Sequence, residues 1–338
     1  MTEGEPYATV GQLAPEERLR RLELTITRRL DGLLQGQHLG LLPGAGSELA
    51  GSREYRPGED EVRRMDWAVT ARTTVPHVRE VDADRELSTW LLIDSTPSMD
   101  FGTAELEKRE LAVAAAAAVG FLTAGTGNRL GAHLLGAQGV RRFPARTGRN
   151  HLLGLLRTLL AAPRGAAGAD PPALADAMQA LGRAAPKRGL AVVISDFLDG
   201  LPDDGFDAET GVAVDVGEPT WAKPLRRLAA RHQVLAVEIT DPREWELPDV
   251  GLITLVDPET GQRREVATGS RALRERFTAA AAHQRQLVYQ ALRRAGAAHL
   301  PLRTDRDWVG DIVRHVHLQR RLAGAVRTPA GNGRGGVR

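Results

Sequence analysis

The run Ser88-Thr-Trp-Leu-Leu-Ile-Asp94-Ser-Thr96-Pro-Ser98-Met99 constrains this chain more than any other stretch. Four apolar side chains in succession, Trp90 to Ile93, leave no polar face and predict a strand buried on both sides. The run stops at a carboxylate followed by two hydroxyls at alternate positions. In open α/β sheets ligands bind beyond the carboxyl ends of the strands, which is where Asp94, Thr96 and Ser98 would stand. Oxygens of this kind suit a hard cation. Magnesium, or manganese in its place, takes near-octahedral oxygen coordination and keeps some waters, leaving room for a partner's carboxylate. The expected activity is adhesion through a metal, with no bond cleaved. A second reading is architectural, because Asp, Ser and Thr also cap helix starts after strands.

The segments around this strand set the fold class. Residues 15–34 carry leucines at 19, 22, 30, 33 and 34 with Ile26 between them, an amphipathic helix expected to pack on the main domain. Residues 36–51 read as a glycine-rich loop. Strands are expected at 77–81, 87–93, 189–194 and 234–239, and helices at 103–123, 151–160, 173–181 and 222–232. Residues 130–135 and 140–143 form a short edge hairpin in this reading. Strands alternating with helices predict an α/β protein with a mostly parallel, doubly wound sheet. Asp94 and Asp196, each just after a buried strand, then fall on one edge of it.

Composition removes several function classes. The absence of cysteine excludes disulfides, thiolate nucleophiles and cysteine-ligated zinc. A formal net charge of +2 argues against a surface-wide field for nucleic acid, although 42 of the 45 basic residues are arginine, which keeps an arginine-mediated nucleic-acid binder as a third hypothesis. The 42% hydrophobic content of 338 residues supports one large or two ordinary domains. The start, Met1-Thr-Glu-Gly-Glu-Pro6, is acidic and polar, and the apolar stretch 111–124 is short for a bilayer, so a cytoplasmic protein without a membrane span is expected. There is no Gly-x-Ser-x-Gly elbow, Walker lysine loop or zinc helix, and Gly125-Thr-Gly127 precedes a strand where a nucleotide loop would follow one.

Several spaced motifs then carry a resemblance. Gly51-Ser-Arg53-Glu-Tyr55-Arg-Pro57-Gly58-Glu-Asp60, Arg64-Met-Asp66-Trp67, Ala71-Arg72, Ile194-Ser195-Asp196-Phe197, Asp241-Pro-Arg-Glu244, Leu247 to Leu252 and Asp257 to Gly261 together resemble the bacterial domain of unknown function 58, over residues 36–318. The resemblance implies a von Willebrand factor A-like, Rossmann-like fold whose Asp-x-Ser-x-Ser motif corresponds to Asp94, Thr96 and Ser98. It also implies that Asp196 binds the ion or its waters, and that the protein works with a MoxR-type AAA ATPase on client proteins. The family's remaining ligand is a loop threonine; this chain has Ala166-Ala-Gly168-Ala-Asp170-Pro-Pro172, leaving Asp170 as the substitute.

The organisation expected is an N-terminal helix and glycine-rich loop (1–46), a family-signature β-rich extension (47–86), a von Willebrand factor A-like domain with C-terminal elements (87–318) and a disordered basic tail (319–338). Tyr55, Arg64, Asp66 and Trp67 are expected to tie the extension to the sheet by packing and ion pairing. The acidic segment 199–218 reads as a solvated loop, and His315 and His317 as surface residues. The leading function is a non-catalytic protein-interaction module with magnesium or manganese; the alternative is a divalent-metal hydrolase using Asp94 and Asp196 to activate water.

Overall fold

Alternate residues of the central strand serve opposite layers, which is what a strand without a polar face requires. Leu91 and Ile93 belong to one apolar cluster, and Trp90 and Leu92 to the other. The computed structural model describes residues 15–34, 49–56, 62, 65–81, 88–104, 106–123, 127–164, 171–202, 217–257 and 261–326. Its elements in chain order are α1 (Pro15–Leu34), β1 (Leu49–Glu54), α2 (Trp67–Thr73), β2 (His77–Val81), β3 (Ser88–Ser95), α3 (Lys108–Thr123), β4 (Arg129–Gly136), β5 (Gly139–Arg146), α4 (Arg149–Leu160), α5 (Leu174–Ala184), β6 (Leu190–Ser195), α6 (Ala222–Ala229), β7 (Gln233–Thr240), β8 (Leu252–Val256), β9 (Arg263–Ala267), α7 (Arg271–Arg294), β10 (Ala298–Arg303) and α8 (Trp308–Val326).

The central sheet has six strands in the order β10-β7-β6-β3-β4-β5. All neighbours run parallel except β4 and β5. The face of Leu91 and Ile93 is covered by α3, α4, α8 and Ile26 of α1; the face of Trp90 and Leu92 by α5, α6 and α7. The sheet is therefore doubly wound and mostly parallel, as the alternation predicts. The helix α1 packs by Leu22 and Ile26, and its Arg29 pairs with Asp307 at 2.8 Å. One close approach fixes a glycine: a Cβ on Gly131 of β4 would sit 2.6 Å from the Trp90 ring.

The edge hairpin stands, with β5 outermost and β4 paired in parallel with β3 along its whole length, while β10 forms the opposite edge of the sheet. Several expectations are corrected. The helix α3 begins at Lys108, and Thr103, expected at its start, is instead bound to Asp241 through its amide and hydroxyl. Trp67 is 66% exposed and packs little, while Asp66 serves locally by capping α2. His315 is buried in α8, whereas His317 is exposed. The helix α8 continues to Val326, into the stretch expected to be a tail. Arg64, the loop residues 165–170 with Asp170, and 203–216 of the acidic segment lie outside the described residues. Among the described residues no helix is long and apolar enough to cross a membrane.

Candidate functional site

The parallel register of β3 and β6 carries Asp94 and Asp196 to the same edge of the sheet. Beyond β3 the chain turns at Thr96 into a single 3-10 turn, Pro97–Asp100, with proline at its start and Met99 fully buried beneath it. The turn brings the three oxygens of the motif together. Asp94 Oδ1 accepts from the Thr96 amide at 3.0 Å and from Thr96 Oγ1 at 2.7 Å, and Thr96 Oγ1 lies 3.2 Å from Ser98 Oγ. On the neighbouring strand, Ser195 Oγ donates to Asp94 Oδ2 at 2.7 Å and accepts from the Phe197 amide at 3.0 Å.

Phe197 sits at φ +59°, a left-handed conformation that costs a bulky residue about 1–2 kcal/mol. Its fully buried ring, edge-on to Trp221 at 5.3 Å, holds the backbone there. The bend starts directly after Asp196 and aims that carboxylate back across the site. Asp199, three residues on, accepts from the Leu174 amide at 2.6 Å and anchors the start of α5 on the same rim.

A further group joins that the sequence reading did not single out. Lys108, fully buried at the start of α3, donates to Asp196 Oδ2 at 2.9 Å and to Glu244 Oε1 at 2.5 Å. Glu244 closes a capping box with Asp241, receiving the Asp241 amide at 2.9 Å. Asp241 accepts from Thr103 Oγ1 at 2.6 Å and from Thr304 Oγ1 at 2.7 Å, tying the rims of β3, β7 and β10 into one network. The Asp-Pro-Arg-Glu pattern at 241–244 was visible in the sequence as a capping box. Its lysine partner was not, being 136 residues away.

The electrostatics divide the two central carboxylates. Burial would raise the Asp196 carboxyl, but the adjacent Lys108 ammonium outweighs it and holds Asp196 below the ordinary range. Burial would likewise lower Lys108, but Asp196 and Glu244 outweigh it and keep the ammonium charged. Burial raises Glu244 despite its lysine contact. Asp94 is pushed up to about 6, first by burial and then by the charge of Asp196. Among the described residues no ammonium or guanidinium is bonded to Asp94.

Asp94, Thr96, Ser98 and Asp196 are thus brought together; Asp170 is not described. The donor set fits a hard divalent cation in two respects. Thr96 and Ser98 oxygens 3.2 Å apart match neighbouring ligands of an octahedral magnesium shell, about 3 Å. The uncompensated Asp94 charge would favour a cation beside it. Among the described residues there is no cluster of three or more His, Asp or Glu of the kind that cages a metal, so hydroxyls and water would supply most of the shell.

Relatives extend over most of the chain. The uncharacterized protein Rv1480 of Mycobacterium tuberculosis (strain ATCC 25618 / H37Rv) is 54% identical over 305 residues, 90% of each chain, and the uncharacterized protein Mb1516 of Mycobacterium bovis matches equally. Among solved structures, BatB from Bacteroides thetaiotaomicron is 10% identical, covering 71% of this chain and 99% of that one, at a TM-score of 0.38. An aerotolerance-related membrane protein from Bacteroides fragilis is 11% identical over 70% and 99% at 0.41. The family model described as protein of unknown function DUF58 matches residues 51–287, and the chain belongs to that family.

Proposed function

We propose that this protein is a non-catalytic interaction module that docks a partner protein on the carboxyl edge of its sheet, with magnesium or manganese at Asp94, Thr96 and Ser98 and with Asp196 beside them. The observation that carries the reading is the convergence of these four side chains on one rim, with one of the two buried carboxylates lacking a cationic partner among the described residues. A bound divalent cation would supply attraction for a carboxylate of the partner. The chain's own residues do the positioning. Asp94 fixes the Thr96 hydroxyl, Ser195 fixes Asp94, and Lys108 holds Asp196 ionised.

The hydrogen bonds of the two carboxylates orient them and leave acceptor capacity for a cation. Asp94 Oδ1 accepts twice from Thr96 and Oδ2 accepts from Ser195; Asp196 Oδ1 accepts from the Leu198 amide and Oδ2 from Lys108. Asp94 Oδ2 and both Asp196 oxygens each keep one acceptor position, which a cation or its bound waters would take. The family resemblance points to a MoxR-type AAA ATPase as the partner, acting on a client protein, inside the cytoplasm.

The test is capture of a MoxR-type AAA ATPase from the same organism by the purified full chain, in millimolar magnesium and in chelator. Capture is expected in magnesium and lost in chelator and in Asp94→Ala. Equal capture in all three conditions removes the cation from the docking reaction, and magnesium-dependent turnover of phosphoester or peptide substrates would replace the module with a hydrolase.

A further inference from the structure

The charges of this chain are balanced overall but not locally. Between Glu110 and Asp170 the sequence contains no acidic residue and no lysine, yet it contains seven arginines, at 129, 141, 142, 146, 149, 157 and 164. A segment of this length without a carboxylate, in a chain with 43 of them, puts a positive field on whatever surface it builds. Its arginine-bearing part builds β4, β5, α4 and the turn after α4, beside β3, where Glu23 and Glu107 from outside the segment pair with Arg149 and Arg164.

A cleft of about 780 Å³ opens on that side, at the carboxyl ends of β3 and β4. Its floor includes Ser95 and Leu134, and its walls carry Val140 and the exposed Arg141, Arg157 and Arg164. Ser95 directly follows Asp94, so the cleft opens beside the candidate site, although none of that site's four side chains lines it. Arg109 fastens the two together: its guanidinium donates to the carbonyls of Ser95, Ala162 and Pro163, and it pairs with Asp100. Arg164 holds Glu107 through two bonds of 2.8 and 2.7 Å. Both partners are open to solvent, and an exposed pair of this kind is worth about 1 kcal/mol or less, so an incoming carboxylate can take the place of Glu107.

Resting on the reading of this edge as a protein-docking rim, we infer that the arginine-lined cleft receives a short segment of the partner protein that combines acidic and apolar side chains. The walls supply guanidinium forks for carboxylates, and the floor supplies aliphatic surface. The volume lies within the ~300–1,000 Å³ of pockets that enclose small ligands, which limits the occupant to a few residues. A nucleic-acid strand is the poorer match. Its backbone would continue from the cleft onto the anionic rim of Asp94, Asp100, Asp196 and Glu244, and the lining has no aromatic side chain for base stacking.

The experiment is an anisotropy titration of the full chain in chelator, with three fluorescein-labelled probes: a Glu-Leu repeat peptide, its Lys-Leu counterpart, and an oligothymidylate of the same charge as the first. Saturable binding of the Glu-Leu peptide is expected, weakened by salt, at least tenfold tighter than the Lys-Leu peptide. Arg141→Gln with Arg164→Gln should lower the affinity about tenfold, with thermal melting followed beside it as the check that the variant is folded. Equal binding of the two peptides, unchanged affinity in the double variant, or preference for the oligothymidylate would overturn the assignment. Because chelator removes the cation from this titration, a negative result here beside magnesium-dependent capture of the ATPase refutes the cleft alone. The opposite pair of results refutes the cation site alone and upholds the cleft.

Discussion

Asp94 and Asp241 stand at the carboxyl ends of parallel strands of one sheet, both buried and both served by hydroxyl and amide donors, yet their acidities move in opposite directions. Burial would raise Asp241, but Thr103, the Arg243 amide and Thr304 outweigh it and hold its carboxyl below the ordinary range. Asp94 receives a comparable set from Thr96 and Ser195 and is still pushed up. Two features distinguish them: first the deeper burial of Asp94, and then the charge of Asp196, which adds to it. Hydrogen bonds can keep one buried carboxylate ionised; two together need a cation, and Lys108 supplies it for Asp196. Asp241 is thus a finished structural joint, and Asp94 is half of an unfinished one.

The largest effect expected is at the lysine. Lys108→Met would leave Asp196 and Glu244 buried without their counter-charge, and breaking a buried pair from one side costs about 3–5 kcal/mol. Denaturant unfolding should show a loss of that size; a loss under about 1 kcal/mol would mean that Lys108 is not what keeps Asp196 charged. Asp241→Ala follows. It strands the hydroxyls of Thr103 and Thr304 and should cost about 2–4 kcal/mol, with the same loss in magnesium as in chelator. A magnesium-dependent loss there would erase the distinction between the two aspartates.

Asp94→Asn should behave in the opposite way. In chelator at neutral pH the variant removes a buried charge that nothing offsets while keeping the amide oxygen for Thr96, so it is expected to be more stable than the wild type by about 1–2 kcal/mol. Magnesium should raise the melting temperature of the wild type and leave that of the variant in place. A variant that melts below the wild type in chelator would show that the Asp94 charge is already compensated.

Much of this rim was legible in the sequence because its strands are continuous apolar runs, and their ends are marked by Asp94 and Asp196. The hairpin shows where such legibility stops. The turn between β4 and β5, with Gly139 at φ +114°, declares an antiparallel pair, but a pair does not say which member lies inside. The arginines at 141, 142 and 146 of β5 against the mostly apolar Leu130–Leu135 of β4 carry that information, and the burial of β4 follows it. Lys108 was out of reach for another reason. Its partners are 88 and 136 residues away, and at the start of an alanine-rich helix it looks like a solvated first-turn residue. Trp67 stands exposed where an aromatic residue in a family-like block suggests packing, whereas its neighbour Asp66 caps α2 and bonds His77 of β2 through its backbone amide.

His133 separates burial from neighbouring charge, the two influences that make Asp94 differ from Asp241. It lies on β4, paired in register with Leu92 of β3, buried edge-on to Trp90 with its Nδ1 unpartnered among the described residues. Burial first, and Arg142 second, lower it to about 4 from 6.5. Its folded value is therefore below its unfolded one, so the unfolded chain binds the proton first as the medium is acidified. The stability held by neutral His133 is full above about pH 6.5 and is lost as pH falls towards about 4. Asp94, raised instead, contributes in the opposite sense: between about pH 4 and 6 its contribution declines as pH rises. The two slopes partly cancel in the wild type. In Asp94→Asn the His133 slope should emerge, and adding His133→Leu should flatten it by about 1–2 kcal/mol across that window, read from denaturant midpoints at a series of pH values. If the Asn variant is as flat as the wild type, neither Asp94 nor His133 changes its proton affinity on folding in this window, and the shifts assigned to both are wrong.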